Sequence, residues 1–196
     1  MAQNIQSPSV SGNSTKYSIG GTQVYTDVLW NNHLIGDGTS QNLPDHDKKL
    51  NPSLHNFIYD VMFFTPDTSK VQSLEFDINQ FVDNKSFIFG HECNIVEGNQ
   101  WDVWDNQNNK WIPTGKPCKP LSNSWNHLVI QVQRTSDDQL LYQTITLNGE
   151  TQTLNWYLPP SEKNDWWGVT INYQEDGNFA QDAYDVYLDQ LNFTYW

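Results

Sequence analysis

The sequence predicts an all-β chain, a two-sheet antiparallel β-sandwich of the jelly-roll type. Short runs of alternating apolar and polar residues recur roughly a dozen times, with turn residues about every 8–12 positions. A strand puts successive side chains on opposite faces, so this alternation marks half-buried strands. No segment of ten or more residues carries the helical period, and no repeat or linker divides the 196 residues. The reading is a loose, polar lead-in over residues 1–16 and one domain over 17–196.

In order along the chain, Tyr17 to Tyr25 reads as a first strand or two, broken at Gly20-Gly21. Val28-Leu29-Trp30 follows, then a long polar loop from Asn31 to Asn56. Phe57 to Phe64 is almost continuously apolar and reads as a central strand. Pro66-Asp67-Thr68-Ser69 turns into Leu74–Gln80, where Leu74, Phe76 and Ile78 alternate strictly with Glu75, Asp77 and Asn79. Asp83-Asn84 reads as a hairpin tip leading to Phe87–Ile95. Gln100–Asp105 and Lys110–Ile112 form the next hairpin, and a proline-rich loop from Pro113 to Ser124 follows. Trp125–Arg134, Leu140–Leu147 and Thr151–Tyr157 are strands, the last two joined at Asn148-Gly149. Pro159-Pro160 opens a loop to Trp166-Trp167, after which Gly168–Gln174 and Tyr184–Tyr195 close the chain.

Composition narrows the function. The chain has 10 basic against 23 acidic residues, a formal net charge of −13, and Arg134 as its only arginine. Nucleic acid and anionic membrane are excluded as partners by that balance, and a phosphate clamp lacks its usual residue. Trp, Tyr and Phe each occur nine times, alongside abundant Asn and Gln. Flat rings plus amides suit neutral sugars. Neither a membrane span nor a signal peptide is visible. Cys93 and Cys118 form an even pair that reads as a disulfide, hence a secreted or periplasmic protein, expected as a monomer. There is no G-x-S-x-G elbow, nucleotide-binding glycine loop or zinc-protease histidine spacing.

Collecting the polar alternate positions of the strands gives Asp60, Glu75, Asp77, Asn79, Asp102, Gln131, Gln133, Asn172 and Gln174, with Trp104 in phase with Asp102. The set holds acids and amides and no lysine, so it reads as one concave, hydrogen-bonding face with Trp104 as a stacking platform. Around His91 and Glu92 the facing is open. Either His91 lines that face beside Asp77 or Glu92 does, because one bulge swaps the two.

Trp125-Asn126-His127-Leu128-Val129-Ile130-Gln131-Val132, Leu141-Tyr142 and the turn Leu147-Asn148-Gly149 together resemble a pattern of concanavalin A-like lectin and glucanase sandwiches. Glu75-Phe76-Asp77 is similar to two strand patterns of that superfamily. Resemblance to the retaining glucanases implies Glu75 as nucleophile and Asp77 as its modulator. The third acid of that pattern is replaced by Asn79 or Gln80, which leaves Glu92 or Asp102 to supply the acid. Resemblance to the legume-lectin metal site implies Glu75, Asp77 and His91 as ligands of a divalent metal. Val186 to Leu191 is similar to the last strand of sandwich binding modules, which implies a structural calcium at Asp189.

The expected function is binding of a neutral plant- or microbial-type oligo- or polysaccharide on a face around Glu75, Asp77, Asn79, Gln131, Gln133, Asn172, Gln174, Asp102, Trp104 and His91. The alternative is a retaining β-glycanase using Glu75, Asp77 and Glu92. A structural or adhesion module without a small ligand is the third reading.

Overall fold

The computed structural model describes residues 1–21, 23–39, 43–162 and 165–196. Thr22 in the first predicted strand, residues 40–42 of the long loop and residues 163–164 of the later loop therefore lie outside the described residues.

Fifteen strands follow one another along the described chain. The first are β1 (Ala2–Ile5), β2 (Ser14–Ile19), β3 (Asp27–Gly36) and β4 (Asn56–Thr65). Next come β5 (Val71–Val82), β6 (Lys85–Phe89), β7 (His91–Asn94), β8 (Gln100–Asp105) and β9 (Lys110–Pro117). β10 (Ser124–Arg134), β11 (Leu140–Leu147), β12 (Glu150–Leu158), β13 (Ser161–Glu162), β14 (Gly168–Gly177) and β15 (Tyr184–Tyr195) complete the set. A one-turn helix, α1 (Leu50–Ser53), precedes β4, and a 3-10 turn (Thr68–Lys70) follows it.

The strands form two antiparallel sheets. The first has the order β1-β2-β15-β4-β10-β11-β12. In the second, β14 lies between β3 and β5. The far side of β5 takes β6 and then β7, and β8 and β9 extend the sheet from there. Inward-facing Leu74, Phe76 and Ile78 of β5 are fully buried, as are Val61, Phe63, Leu128, Ile130 and Val132 of the other sheet. Each such side chain contributes roughly 1.5–3 kcal/mol when removed from water. Aromatic pairs lock the sheets together: Phe76 packs edge-on against Tyr59 at 6.0 Å and tilted against Phe63 at 5.5 Å between ring centroids.

One end of the sandwich is closed by polar groups. The amide of Gln80, completely buried, donates to the backbone oxygens of Asn51 and Leu54 at 2.8 and 3.1 Å. Arg134 donates to Pro52 O at 2.5 Å and to Asp138 at 3.2 Å. The chain's only arginine is thus committed to holding the segment before β4. Cys93 on β7 and Cys118 just beyond β9 form a disulfide across 25 positions, which ties the Pro-rich loop to the sheet.

Three elements differ from the sequence reading. Asn31, Asn32 and His33, read as loop, continue β3 as far as Gly36, because an edge strand needs only one apolar face and these residues pair with β14. The single strand read over Phe87–Ile95 is two, interrupted at Gly90. The first sixteen residues, read as a loose lead-in, hold all of β1 and the start of β2, paired to each other. Asp189 of β15 fixes this segment. Its carboxylate accepts from Ser9 Oγ at 2.6 Å, Val10 N at 2.7 Å, Ser11 N at 2.9 Å and Ser11 Oγ at 2.6 Å.

Candidate functional site

The register of the second sheet aligns its outward side chains into rows. Gln174, Glu75, Glu92 and Asp102 lie directly opposite one another across β14, β5, β7 and β8. Asn172 stands opposite Asp77, and Thr170 opposite Asn79. Since β5 turns Leu74, Phe76 and Ile78 into the core, Glu75, Asp77 and Asn79 must face the other way. Asp176 continues the β14 set, two residues beyond Gln174.

Carboxyl oxygens of Glu75, Glu92 and Asp176 lie within 4.8 Å of one another. Glu75, Asp77, Glu92, Asp102 and Asp176 are all under 9% exposed. Amides and hydroxyls knit the cluster together. Gln174 Nε2 donates to Glu75 at 2.6 Å and to Asp176 at 3.1 Å. Ser73 Oγ donates to Asp176 at 2.5 Å, and Asn94 Nδ2 to Asp102 at 3.1 Å. Asn172 Nδ2 reaches Asp77 at 3.4 Å and is itself fixed by Asn31, whose amide donates to Asn172 Oδ1 at 2.6 Å.

No Lys or Arg takes part in these contacts, so burial and mutual repulsion raise the pKa values of the acids. Desolvation, then the charges of Asp77, Asp176 and Glu92, hold Glu75 well above the ordinary carboxylate range. Burial also raises Asp77, against hydrogen bonds from His91 N–H and Asn172 that lower it. Glu92 is pushed up to about 7, by burial first and then by Asp102 and Asp176. Asp176 and Asp102 are raised as well, again mainly by burial. Among these groups Glu92 is a proton donor and acceptor near neutrality, while Glu75 retains its proton.

Gly90 shapes the next part of the face. A Cβ there would lie 2.8 Å from Trp104 Cβ and 3.0 Å from the outer ring carbon of Trp111. The break between β6 and β7 is thus a socket into which Trp111 leans from β9. Trp104 and Trp111 meet edge-on, 5.2 Å between centroids, and both stay half-buried. This places an aromatic pair beside the strand that carries Glu92.

Several expected site residues lie elsewhere. His91 faces the core and is fully buried; its Nδ1–H donates to Phe89 O at 3.0 Å and its ring packs 5.1 Å from Tyr142. Burial lowers its pKa to about 4, so it is neutral. It cannot join Glu75 and Asp77 in a metal site, because the sheet stands between them. Of the two facings left open by the sequence, the structure adopts the one that turns Glu92 outward.

Gln131 and Gln133 are on β10, in the other sheet, on the side facing away from the core, as is Asp60, which bonds His127 at 2.8 Å. Polar strands of the two sheets have the same sequence pattern, and facing alone does not say which sheet a strand joins. Asp189 accepts N–H and O–H groups on both oxygens, and these hydrogen bonds lower its pKa against the effect of burial. Calcium needs oxygen lone pairs, and a carboxylate saturated with donors offers none, so these residues do not fit the ion.

Asp176 and Asn31 were missed by the sequence reading. The period-2 alternation extends from Thr170 through Gln174 to Asp176, so Asp176 was legible had the strand been carried two residues further.

No protein family matches this chain by sequence, and no curated protein does. Solved structures do resemble it. Cellulose induced protein Cip1 superposes with a TM-score of 0.56 at 9% identity, covering 98% of this chain and 84% of that one. The Emp47p carbohydrate recognition domain gives 0.49 at 7% identity, covering 98% and 93%. Peanut lectin with a 9mer peptide gives 0.47 at 10%, covering 93% and 86%. At such identities the likeness is one of fold alone: this chain is an all-β, two-sheet antiparallel sandwich similar in fold to Cip1.

Proposed function

We propose that the outward face of the second sheet is a carbohydrate-binding surface. The observation that carries this reading is the row Gln174–Glu75–Glu92–Asp102, joined by Asp77, Asn79, Asn172 and Asp176 and flanked by the Trp104–Trp111 pair. Sugars present hydroxyls that both donate and accept, together with flat patches of C–H. Carboxyls and amides answer the first and an indole face the second. The lectin and carbohydrate-recognition titles among the fold relatives agree with it. Shortage of basic side chains weighs against an anionic glycan, and a plant- or microbial-type oligo- or polysaccharide is the ligand class we propose. Such a ligand, like the disulfide, belongs outside the cytosol, and we propose a secreted or periplasmic monomer with no nucleic-acid or membrane partner.

Affinity electrophoresis through gels containing β-glucan, xylan, mannan or chitosan tests this. Retardation in at least one gel, reduced in Trp104→Ala, is expected. Unretarded migration in every gel would remove the reading.

A second reading is favoured by the convergence of carboxyls. Retaining glycosidases hold two carboxyls close across the scissile bond, about 5–5.5 Å apart, and one oxygen each of Glu75, Glu92 and Asp176 comes within 4.8 Å of the others. On this reading Glu92 serves as acid and base and Glu75 as nucleophile, with Asp77 tuning it. Glu75 must first surrender the proton it holds, which Asp176 is placed to receive. Release of reducing sugar from a β-glycan by the wild type and not by Glu75→Gln would establish hydrolysis. No release from any β-glycan would end this reading.

A further inference from the structure

We infer that the face is built for a cationic glycan, a chain of β-linked amino sugars whose ammonium groups sit among Glu75, Glu92 and Asp176; this rests on the carbohydrate reading above. Three features converge on it.

The first is a cluster of acids with no cation among them. Five carboxyls share one face of one sheet, and the contacts among them hold no Lys, Arg or protonated His. A neutral glycan supplies hydroxyl dipoles to such a face and leaves its acids either protonated or repelling one another, whereas a bound cation favours their ionised form. An alkylammonium supplies a full positive charge and three N–H donors, which three converging carboxyls can accept.

The second is unsatisfied acceptors in the same face. Asp102 Oδ1 and Asn79 Oδ1 are buried and lack a hydrogen-bond partner among the described residues. Asp102 is 3% exposed and stands directly opposite Glu92; Asn79 is 4% exposed and lies two residues from Asp77 on the same face of β5. Both are acceptors. At these two points the face is short of donors, and buried polar groups are ordinarily paired. The missing partner is donor-rich, as an amino sugar is.

The third is the aromatic pair. Trp111 leans over Gly90, and Glu92 follows two residues later with its side chain on the same face, about 7 Å along the strand. A pyranose stacked on this pair carries its own or its neighbour's amino group to the carboxyls. Indole faces also attract ammonium directly.

The test uses three hexasaccharides that differ only at carbon 2: the glucosamine hexamer (ammonium), the N-acetylglucosamine hexamer (acetamide) and cellohexaose (hydroxyl). Each is titrated calorimetrically into the full chain at pH 5.5. We expect the glucosamine hexamer to bind at least about tenfold more tightly than either other sugar. That preference should shrink as salt rises from 0.05 to 0.5 M, a measurement that needs no variant. It should also fall severalfold in Glu92→Gln and in Asp176→Asn, which keep side-chain shape while removing the capacity to ionise against a bound ammonium. Equal or weaker binding of the glucosamine hexamer overturns the inference, as does a preference unchanged by salt or by both substitutions. If all three hexamers fail while another glycan gel retards the protein, only this inference falls. If no glycan is bound at all, the carbohydrate reading falls with it.

Discussion

At the scale of single residues, Glu92 and Gly90 make the sharpest predictions. The folded pKa of Glu92, about 7, lies above its ordinary value of 4.5. Its contribution to stability is therefore complete below about pH 4.5 and is lost as pH rises through 7. Glu75, Asp77, Asp102 and Asp176 are shifted the same way. The melting temperature should fall between pH 5 and pH 8. Glu92→Gln, which cannot ionise, should remove about 2 kcal/mol of that fall; a melting temperature that rises across this window would contradict the assignment. At Gly90 the limit is space. Gly90→Ala would press a methyl group into Trp104 and Trp111, so a loss of about 1–3 kcal/mol is expected in urea titrations, with weakened glycan retention as the ring leaves its socket. The residue identities of the face were legible because alternation fixes facing once one inward residue is known. Glu75, Asp77, Asn79, Asp102, Trp104, Asn172 and Gln174 follow from that rule. His91 does not, because Phe87, Phe89 and His91 share one parity and Ile88, Gly90 and Glu92 the other, and with apolar residues in both sets the pattern does not say which one turns inward.

Among the elements, the N-terminal segment is pinned by one carboxylate in addition to its strand pairing. Asp189 accepts four hydrogen bonds from residues 9–11. Asp189→Ala leaves those donors without their acceptor and should cost about 2–4 kcal/mol. Amide exchange should speed up first in β1 and residues 9–11, and exchange unchanged there would refute the anchoring role. Chelators should leave the melting temperature unaltered, since this carboxylate is saturated by protein donors. The strands themselves were legible wherever apolar and polar residues alternate. β3 was not, because Asn31, Asn32 and His33 read as loop residues while an exposed edge strand tolerates them. Sheet membership was not legible either: Gln131 and Gln133 have the alternation of face residues, and only pairing between β10 and β4 assigns them to the other sheet.

For the whole molecule, the sandwich is an apolar interior between one sheet of ordinary solvent-facing residues and one whose outer face is packed with acids. The fold class followed from period and turn spacing, which are properties of the entire chain and so survive local errors. The disulfide acts at this scale. Cys93 and Cys118 are fully buried and close a 25-position separation, so replacing both by serine should lower stability by about 3 kcal/mol. Reductant should reproduce the shift in wild type and have no further effect on the double variant. Equal stability of the two proteins would mean that packing alone holds the Pro-rich loop.

The socket at Gly90 separates what the acids do from what the rings do. The carboxyls belong to β5, β7, β8 and β14, whereas Trp111 is carried in from β9, beyond the turn at residues 106–109. Replacing Trp111 or altering the length of that turn would move the platform and leave the charged row untouched. Two parts of recognition are thereby encoded in segments that can vary independently. A library confined to residues 107–111 is the compact route to new ligand preferences, since Asn106 bonds both backbone groups of Ile88 and belongs to the scaffold.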